Sequence, residues 1–161
     1  LSIADRMAVF EAGKILQVGT PGEVYRRPES QTVASFIGEA NFLPGSVIRA
    51  GAGEALVQTP FGELMGTLSG FDGGEPAEGA EVTLCVRPEV LRFVEMDPGE
   101  NCIAGAIGES VYFGEVAHHD FQHGEHRLRV SELNPKHRAG TRRDGLFLYA
   151  DVEDVVVLPD S

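Results

Sequence analysis

Tryptophan is absent from this 161-residue chain, and cysteine, methionine and tyrosine are scarce (two, three and three). Without tryptophan, and with few aromatic residues to spare for the surface, no stacking platform for unpaired bases is expected. No apolar run approaches the ~18 residues of a membrane-spanning helix, and no basic stretch leads into an apolar one near the N-terminus. Neither a membrane span nor a secretory signal is therefore expected. Cys85 and Cys102, in a chain lacking an export signal, read as reduced thiols rather than a disulfide. Positive charge is also in short supply: 13 Lys and Arg against 25 Asp and Glu leave a net charge of −12. The deficit is unevenly placed. Leu1–Asn41 holds four basic and five acidic residues, whereas Phe42–Ser161 holds nine basic and twenty acidic, for −1 and −11. So acidic a module repels phosphate backbones and anionic lipid alike. This argues against nucleic acid as a partner and against direct membrane insertion.

What is present is most specific between Gly13 and Pro28, GKILQVGTPGEVYRRP. Ile15, Leu16 and Val18 form a short β-like run, and Met7–Phe10 precedes it across Glu11-Ala12-Gly13. Together they predict a hairpin. Thr20 is a good helix N-cap, with Pro21 at the first helical position and Glu23 at the third, so a capped helix over about Pro21–Arg27 follows and stops at Pro28. Ser30 opens a second helix, with Val33, Phe36 and Ile37 on one face and Gly38 at its end. A short helical remnant is expected over Leu1–Arg6.

This window, with Ile3-Ala4-Asp5-Arg6 before it and Val24-Tyr25, Phe36-Ile37-Gly38 and Asn41-Phe42-Leu43-Pro44-Gly45 after it, resembles the tail of the nucleotide-binding domain in ABC importer ATPases. The likeness is to the maltose, polyamine, ferric-iron and sulfate type. Val86-Arg87-Pro88-Glu89 and Gly114 resemble the C-terminal β-rich regulatory module of the same ATPases, the TOBE domain. The resemblance implies two parts, a remnant of the nucleotide-binding domain over residues 1–41 and a TOBE-like domain over 42–161. It also implies that the chain starts beyond the family's switch histidine, as the C-terminal portion of a longer protein. A hairpin and two short helices bury too little apolar surface to fold alone. That opening piece must pack on the remainder, pair with another copy or lie partly disordered.

From Phe42 onward short apolar segments alternate with Gly, Pro, Asp and Asn. Strands are expected near Gly45–Ile48, Ala55–Thr59, Gly62–Thr67, Ala80–Val86, Leu91–Val94, Ile103–Phe113, Glu115–Phe121, Arg127–Val130, Leu146–Ala150 and Asp154–Leu158. Turns every 8–12 residues with no helical period point to an antiparallel barrel or sandwich. A chain this short cannot close two large sheets. The fold class is therefore mainly β: a small OB-like Greek-key barrel preceded by a hairpin and two short helices.

The chemistry-bearing motifs are thin. No G-x-x-x-x-G-K-[ST] loop exists: Gly13-Lys14 is the sole Gly-Lys pair, lacks the earlier glycine and is followed by Ile15. Nothing here cradles the β- and γ-phosphates or holds Mg²⁺. Leu68–Gly74 resembles the ABC signature loop only superficially, because an acidic Pro/Gly loop follows it where the signature motif opens a helix. This chain is therefore expected to be no enzyme, with no catalytic residue and no cofactor of its own, while the parent protein implied by the resemblance uses ATP and Mg²⁺. Four histidines crowd into His118–His126, and His118, Asp120 and His126 are an imaginable metal set, though the spacing fits no standard ligand pattern. Solvated histidines in a turn are the plainer reading. Lys136, Arg138, Arg142 and Arg143 form the one basic cluster, read as charge balance within an acidic fold. Arg87 and Glu89 flank a proline at a strand end, an architectural turn first. Arg87, Glu89, Arg142 and Arg143 are the candidates for an interface or a ligand.

On function, the resemblance implies a regulatory, dimerising part of an importer ATPase. It further implies a homodimer through the β domain, contact with permease subunits, and a peripheral place at the cytoplasmic face of the plasma (inner) membrane. A β module sensing a small oxyanion or cation is the alternative. An OB-type nucleic-acid binder is disfavoured by the charge.

Overall fold

The computed structural model describes residues 5–135 and 143–160 of the chain. The expected helical remnant at Leu1–Arg6 falls mostly outside them; Asp5 and Arg6 are not helical. The chain opens on an antiparallel hairpin, β1 (Met7–Glu11) and β2 (Lys14–Gly19). Its turn has two residues rather than three: Ala12 and Gly13 both take positive φ, 50° and 79°, the backbone that a two-residue turn needs to match the strand twist. Helix α1 (Pro21–Arg26) starts with a complete capping box. The Thr20 hydroxyl accepts from the Glu23 N–H at 3.2 Å, and the Glu23 carboxylate accepts from the Thr20 N–H at 3.3 Å. Helix α2 (Gln31–Ile37) is capped by Ser30, whose hydroxyl accepts from the Val33 N–H at 3.2 Å. Val9, Val24 and Val33 form a small core with Met7, Leu16 and Ile37 around it. The sequence reading placed Phe36 on the same helical face as Val33 and Ile37; the structure leaves Phe36 exposed. Ala34 is the residue that α2 turns toward the rest of the molecule.

Ten strands follow: β3 (Asn41–Gly51), β4 (Glu54–Thr59), β5 (Gly62–Leu68), β6 (Glu81–Val86), β7 (Arg92–Val94), β8 (Cys102–Phe113), β9 (Val116–His123), β10 (His126–Leu133), β11 (Leu146–Tyr149) and β12 (Val155–Pro159). β3, β4, β5, β12 and β6 close into a barrel in that order, with every pairing antiparallel except β5 with β12. The barrel is OB-like, and the molecule is mainly β. The other five strands build an open sheet, ordered β10-β9-β8-β11-β7, inserted in the chain between β6 and β12. Spacing of strand signals does not distinguish these two sets.

One core joins them. Leu43, Val57 and Leu84 of the barrel pack in the same cluster as Ile103, Phe121, Val130 and Leu148 of the open sheet. β6 and β12 are buried on both sides, by the barrel core and by α2, which explains their unbroken apolar runs. β12 points Val155 and Val157 into the barrel, while Val156 and Leu158 join Cys85 and Ala34 in a second cluster beneath α2.

The opening hairpin and helices thus pack on the barrel, the first of the three arrangements expected for them. Gln31 Nε2 donates to Thr83 Oγ1 at 3.0 Å, Ser69 Oγ donates to the Pro28 carbonyl at 2.8 Å, and Arg27 donates to the Glu153 carbonyl at 2.8 Å. Gly70, at φ 82°, approaches the linker so closely that a Cβ there would lie 2.2 Å from the Glu29 carbonyl oxygen. Only glycine fits.

Candidate functional site

The Arg87-Pro88-Glu89 turn is where the two parts of the chain meet. β6 ends at Val86, and Pro88–Val90 form a short 3₁₀ turn. Arg87 occupies an outward position of the strand, but α1 and α2 lie over it, and it is only 5% exposed. Its guanidinium donates to the carbonyls of Ala34 (3.0 Å), Gly38 (2.9 Å) and Glu39 (3.2 Å). These carbonyls lie at and beyond the last turn of α2, which carries the negative end of the helix dipole, so a cation is well placed. The guanidinium also stacks on Tyr25, 4.7 Å from the ring centroid, a cation–π contact. The Tyr25 hydroxyl in turn donates to the Glu89 carboxylate. Arg87 Nε is buried and without a partner among the described residues. Arg87 and Glu89 are therefore brought together with Tyr25, as a clamp between helices and barrel.

The other candidates among the described residues lie apart from this clamp. Arg143 is exposed and donates to the Gly108 carbonyl at 3.0 Å and to Ser110 Oγ at 3.4 Å. Arg142, with Lys136, His137 and Arg138, lies outside the described residues. His118 and Asp120 share one face of β9, but their contacts lead elsewhere. His118 packs on the Phe113 ring at 5.2 Å, and Asp120 pairs with Arg127 at 3.4 Å. His126 sits at the turn opposite His123, edge-on to Phe61 at 5.6 Å. Among the described residues no group of three or more His, Cys, Asp or Glu side chains is arranged to hold a metal ion.

Three residues to which the sequence reading gives no structural role hold the architecture. His119 is 4% exposed; its Nδ1 lies 2.7 Å from Ser110 Oγ and its Nε2 3.0 Å from a Glu132 carboxylate oxygen. Its signal was available in the alternation of β9, where it shares parity with buried Ala117 and Phe121. Asn101, at φ 46°, ties the open sheet to β5: its side chain accepts from the Met65 N–H at 2.7 Å and donates to the Met65 and Ala150 carbonyls at 2.8 and 3.1 Å. Asn41 does the same for β10. No local sequence signal marks Asn101, and Asn41 enters the sequence reading only as the first residue of the Asn41–Gly45 string.

Burial raises the Cys85 thiol above its ordinary value of 9.0, with neighbouring Arg87 pulling the other way. What this junction does is mechanical. One cation, one aromatic ring and one carboxylate tie the two short helices to the barrel there, beside the Gln31–Thr83, Ser69–Pro28 and Arg27–Glu153 hydrogen bonds.

No family model matches the chain. Relatives are nonetheless clear. The spermidine/putrescine import ATP-binding protein PotA of Trichodesmium erythraeum is 36% identical over 168 residues, covering 100% of this chain and 44% of that protein. PotA 1 of Pseudomonas aeruginosa is 37% identical over 161 residues, covering 100% of this chain and 41% of that protein. PotA of Pseudomonas fluorescens Pf-5 is 37% identical over 121 residues, covering 71% of this chain and 30% of the relative. The chain thus spans less than half the length of the curated relatives it matches. Among solved structures, the cytoplasmic molybdate-binding protein ModG superposes with a TM-score of 0.59 at 14% identity, over 74% of this chain and 96% of that one. At that identity the likeness shows the fold alone. No helix of the described residues is long and apolar enough to cross a membrane. These relatives establish that the chain belongs to the ATP-binding subunits of ABC importers and corresponds to their C-terminal region.

Proposed function

We propose that the chain is the regulatory, dimer-forming part of an importer ATPase, the body against which two ATP-hydrolysing halves stay paired while they open and close. The carrying observation is the outer face of the opening hairpin. Its inner face is covered by α1 and α2, yet its other face leaves Phe10 and Ile15 62% and 57% exposed, with Val18 beside them. A two-stranded sheet with one bare apolar face is suited to continuing a larger body, and a nucleotide-binding domain is the body its relatives supply. The Arg87 clamp would then carry the orientation of that domain into the barrel.

In this reading the whole protein binds ATP with Mg²⁺, works with permease subunits and sits peripherally at the cytoplasmic face of the membrane. Its cargo is a polyamine-like cation, the class named for the relatives. The test is to express the chain in frame with the coding segment upstream of Leu1. The product should bind ATP in a Mg²⁺-dependent way, and the present chain should scatter light as a dimer at high micromolar concentration. An upstream segment lacking a nucleotide-binding motif overturns the importer reading. A monomer overturns the dimer.

A further inference from the structure

The open sheet has two edges, β7 and β10, and they form opposite walls of one groove of about 870 Å³. That size lies within the ~300–1,000 Å³ range of ligand sites. The orientation of the β10 edge follows from its hydrogen bonds. Arg129 directs both its N–H and its C=O away from β9, because both are bonded to the Asn41 side chain at 2.8 Å. In an antiparallel strand every second residue points the same way, so Ser131 and Leu133 offer their N–H and C=O groups to the groove. Among the described residues nothing hydrogen-bonds them on that side.

The groove is apolar at its base and acidic at its rim. Leu91 and Phe93 lie beneath, while Met96 and Leu133 stand 78% and 69% exposed at its sides. Glu89, Glu95 and Glu132 line it, with Glu89 accepting from the Tyr25 hydroxyl and Glu132 lying 3.0 Å from His119 Nε2, and among the described residues its one cation, Arg92, is already paired with Asp151 at 3.4 Å. Exposed methionine and leucine beside an unpaired strand edge are a liability unless something covers them. A second copy would bring the same carboxylates and a further net charge of −12, which disfavours it here.

We propose that the groove takes an extended basic segment of a partner protein. The segment adds as a strand along β10, with its inward side chains apolar, against Leu91 and Phe93 at the base, and its outward ones Lys or Arg, toward the acidic rim beside Leu133. The proposal stands apart from the importer reading, since it rests only on the edge, the apolar base and the charge.

The test is fluorescence anisotropy of a labelled Lys-Val-Lys-Val-Lys-Val-Lys peptide with the full chain. Controls are the peptide with Glu for Lys and a copy N-methylated at alternate amides. The expected result is saturable binding of the Lys peptide alone, weakened by salt, with amide exchange slowed at Ser131 and Leu133. Leu133→Lys changes an exposed side chain and should weaken binding at least about tenfold, a loss near 1.4 kcal/mol. Ser131→Pro removes an outward N–H without touching the β9 ladder and should do the same. Should that proline disturb folding by circular dichroism, Leu133→Lys decides. Equal binding of the Glu peptide, binding unaffected by Leu133→Lys, or binding without protection at Ser131 and Leu133 overturns the proposal. Self-association abolished by Leu133→Lys, with no peptide binding, also overturns it and assigns the groove to a second copy.

Discussion

The carboxamide of Asn41 occupies the place of a strand beside Arg129: its Nδ2 donates to the Arg129 carbonyl at 2.8 Å, and its Oδ1 accepts from the Arg129 N–H at 2.8 Å. Nδ2 also reaches the Val86 carbonyl at 3.2 Å. One side chain at the head of β3 thus joins the barrel to the edge of the open sheet. Asn41→Ala leaves both Arg129 groups without their protein partners, and each lost hydrogen bond is worth ~1 kcal/mol. Urea unfolding should show stability falling by about 2 kcal/mol, with a lower midpoint and an unchanged slope. A variant as stable as the parent would remove Asn41 from this role.

Arg87 offers a sharper case because a charge is involved. Arg87→Ala orphans the α2 carbonyls that its guanidinium now satisfies, and the cost is expected at roughly 3 kcal/mol. The loss should be local as well as global: amide exchange and proteolytic cleavage across residues 27–40 should accelerate more than across the barrel. Arg87→Lys keeps the charge but neither the planar fork nor the stacking on Tyr25, so it should restore only part of the stability. Full recovery with lysine would mean that charge alone holds the junction.

Much of this architecture was legible from local chemistry. Thr20, Pro21 and Glu23 announce their helix because a capping box acts within four residues, and the strands from β3 to β12 all fall where apolar segments stand between turn residues. The long-range contacts were not legible. Which strands close the barrel depends on pairings such as Val156 with Thr67, distant in sequence and without a local signature. Arg87 is read from sequence as part of an architectural turn at a strand end beside Pro88, with an interface or a ligand as its other use; its burial has no local signature, because only α1 and α2, docked over it, make its outward position interior. His119 was within reach, since parity with Ala117 and Phe121 places it inside.

Cys102 provides a pH-dependent readout. Its thiol is pushed up to about 11, first by burial, then by the negative charge of Asp97 and a hydrogen bond to it. A group whose pKa is higher folded than unfolded contributes stability below its ordinary value, here 9.0, and loses it as pH rises through the folded one. Stability should therefore decline between about pH 9 and 11, and Cys102 should react slowly with a thiol reagent at pH 8 until urea unfolds the chain. Asp97→Asn removes the charge, lowers the thiol pKa and should speed the folded-state reaction. An unchanged rate would show that burial alone governs this thiol.

Asp154 should respond in the same sense, at a pH where most measurements are made. Burial, followed by the charges of Asp151 and Glu153, raises its carboxyl above the ordinary 3.8, outweighing the opposing pull of Arg27 and Arg92. A raised carboxyl stabilises the fold below the ordinary value and weakens it as pH climbs through the folded one, so at neutral pH the ionised Asp154 works against folding. Asp154→Asn keeps the shape and removes the charge. Its melting temperature should exceed the parent's at pH 7, and the gap should close as the solution is acidified toward the ordinary carboxylate range, where Asp154 is protonated in folded and unfolded chains alike. The sign of that trend is diagnostic. If the gap instead widens on acidification, Asp154 is held charged by Arg27, and the carboxylates crowded at Asp151–Asp154 are a stabilising pair with the first helix rather than a repulsive cluster.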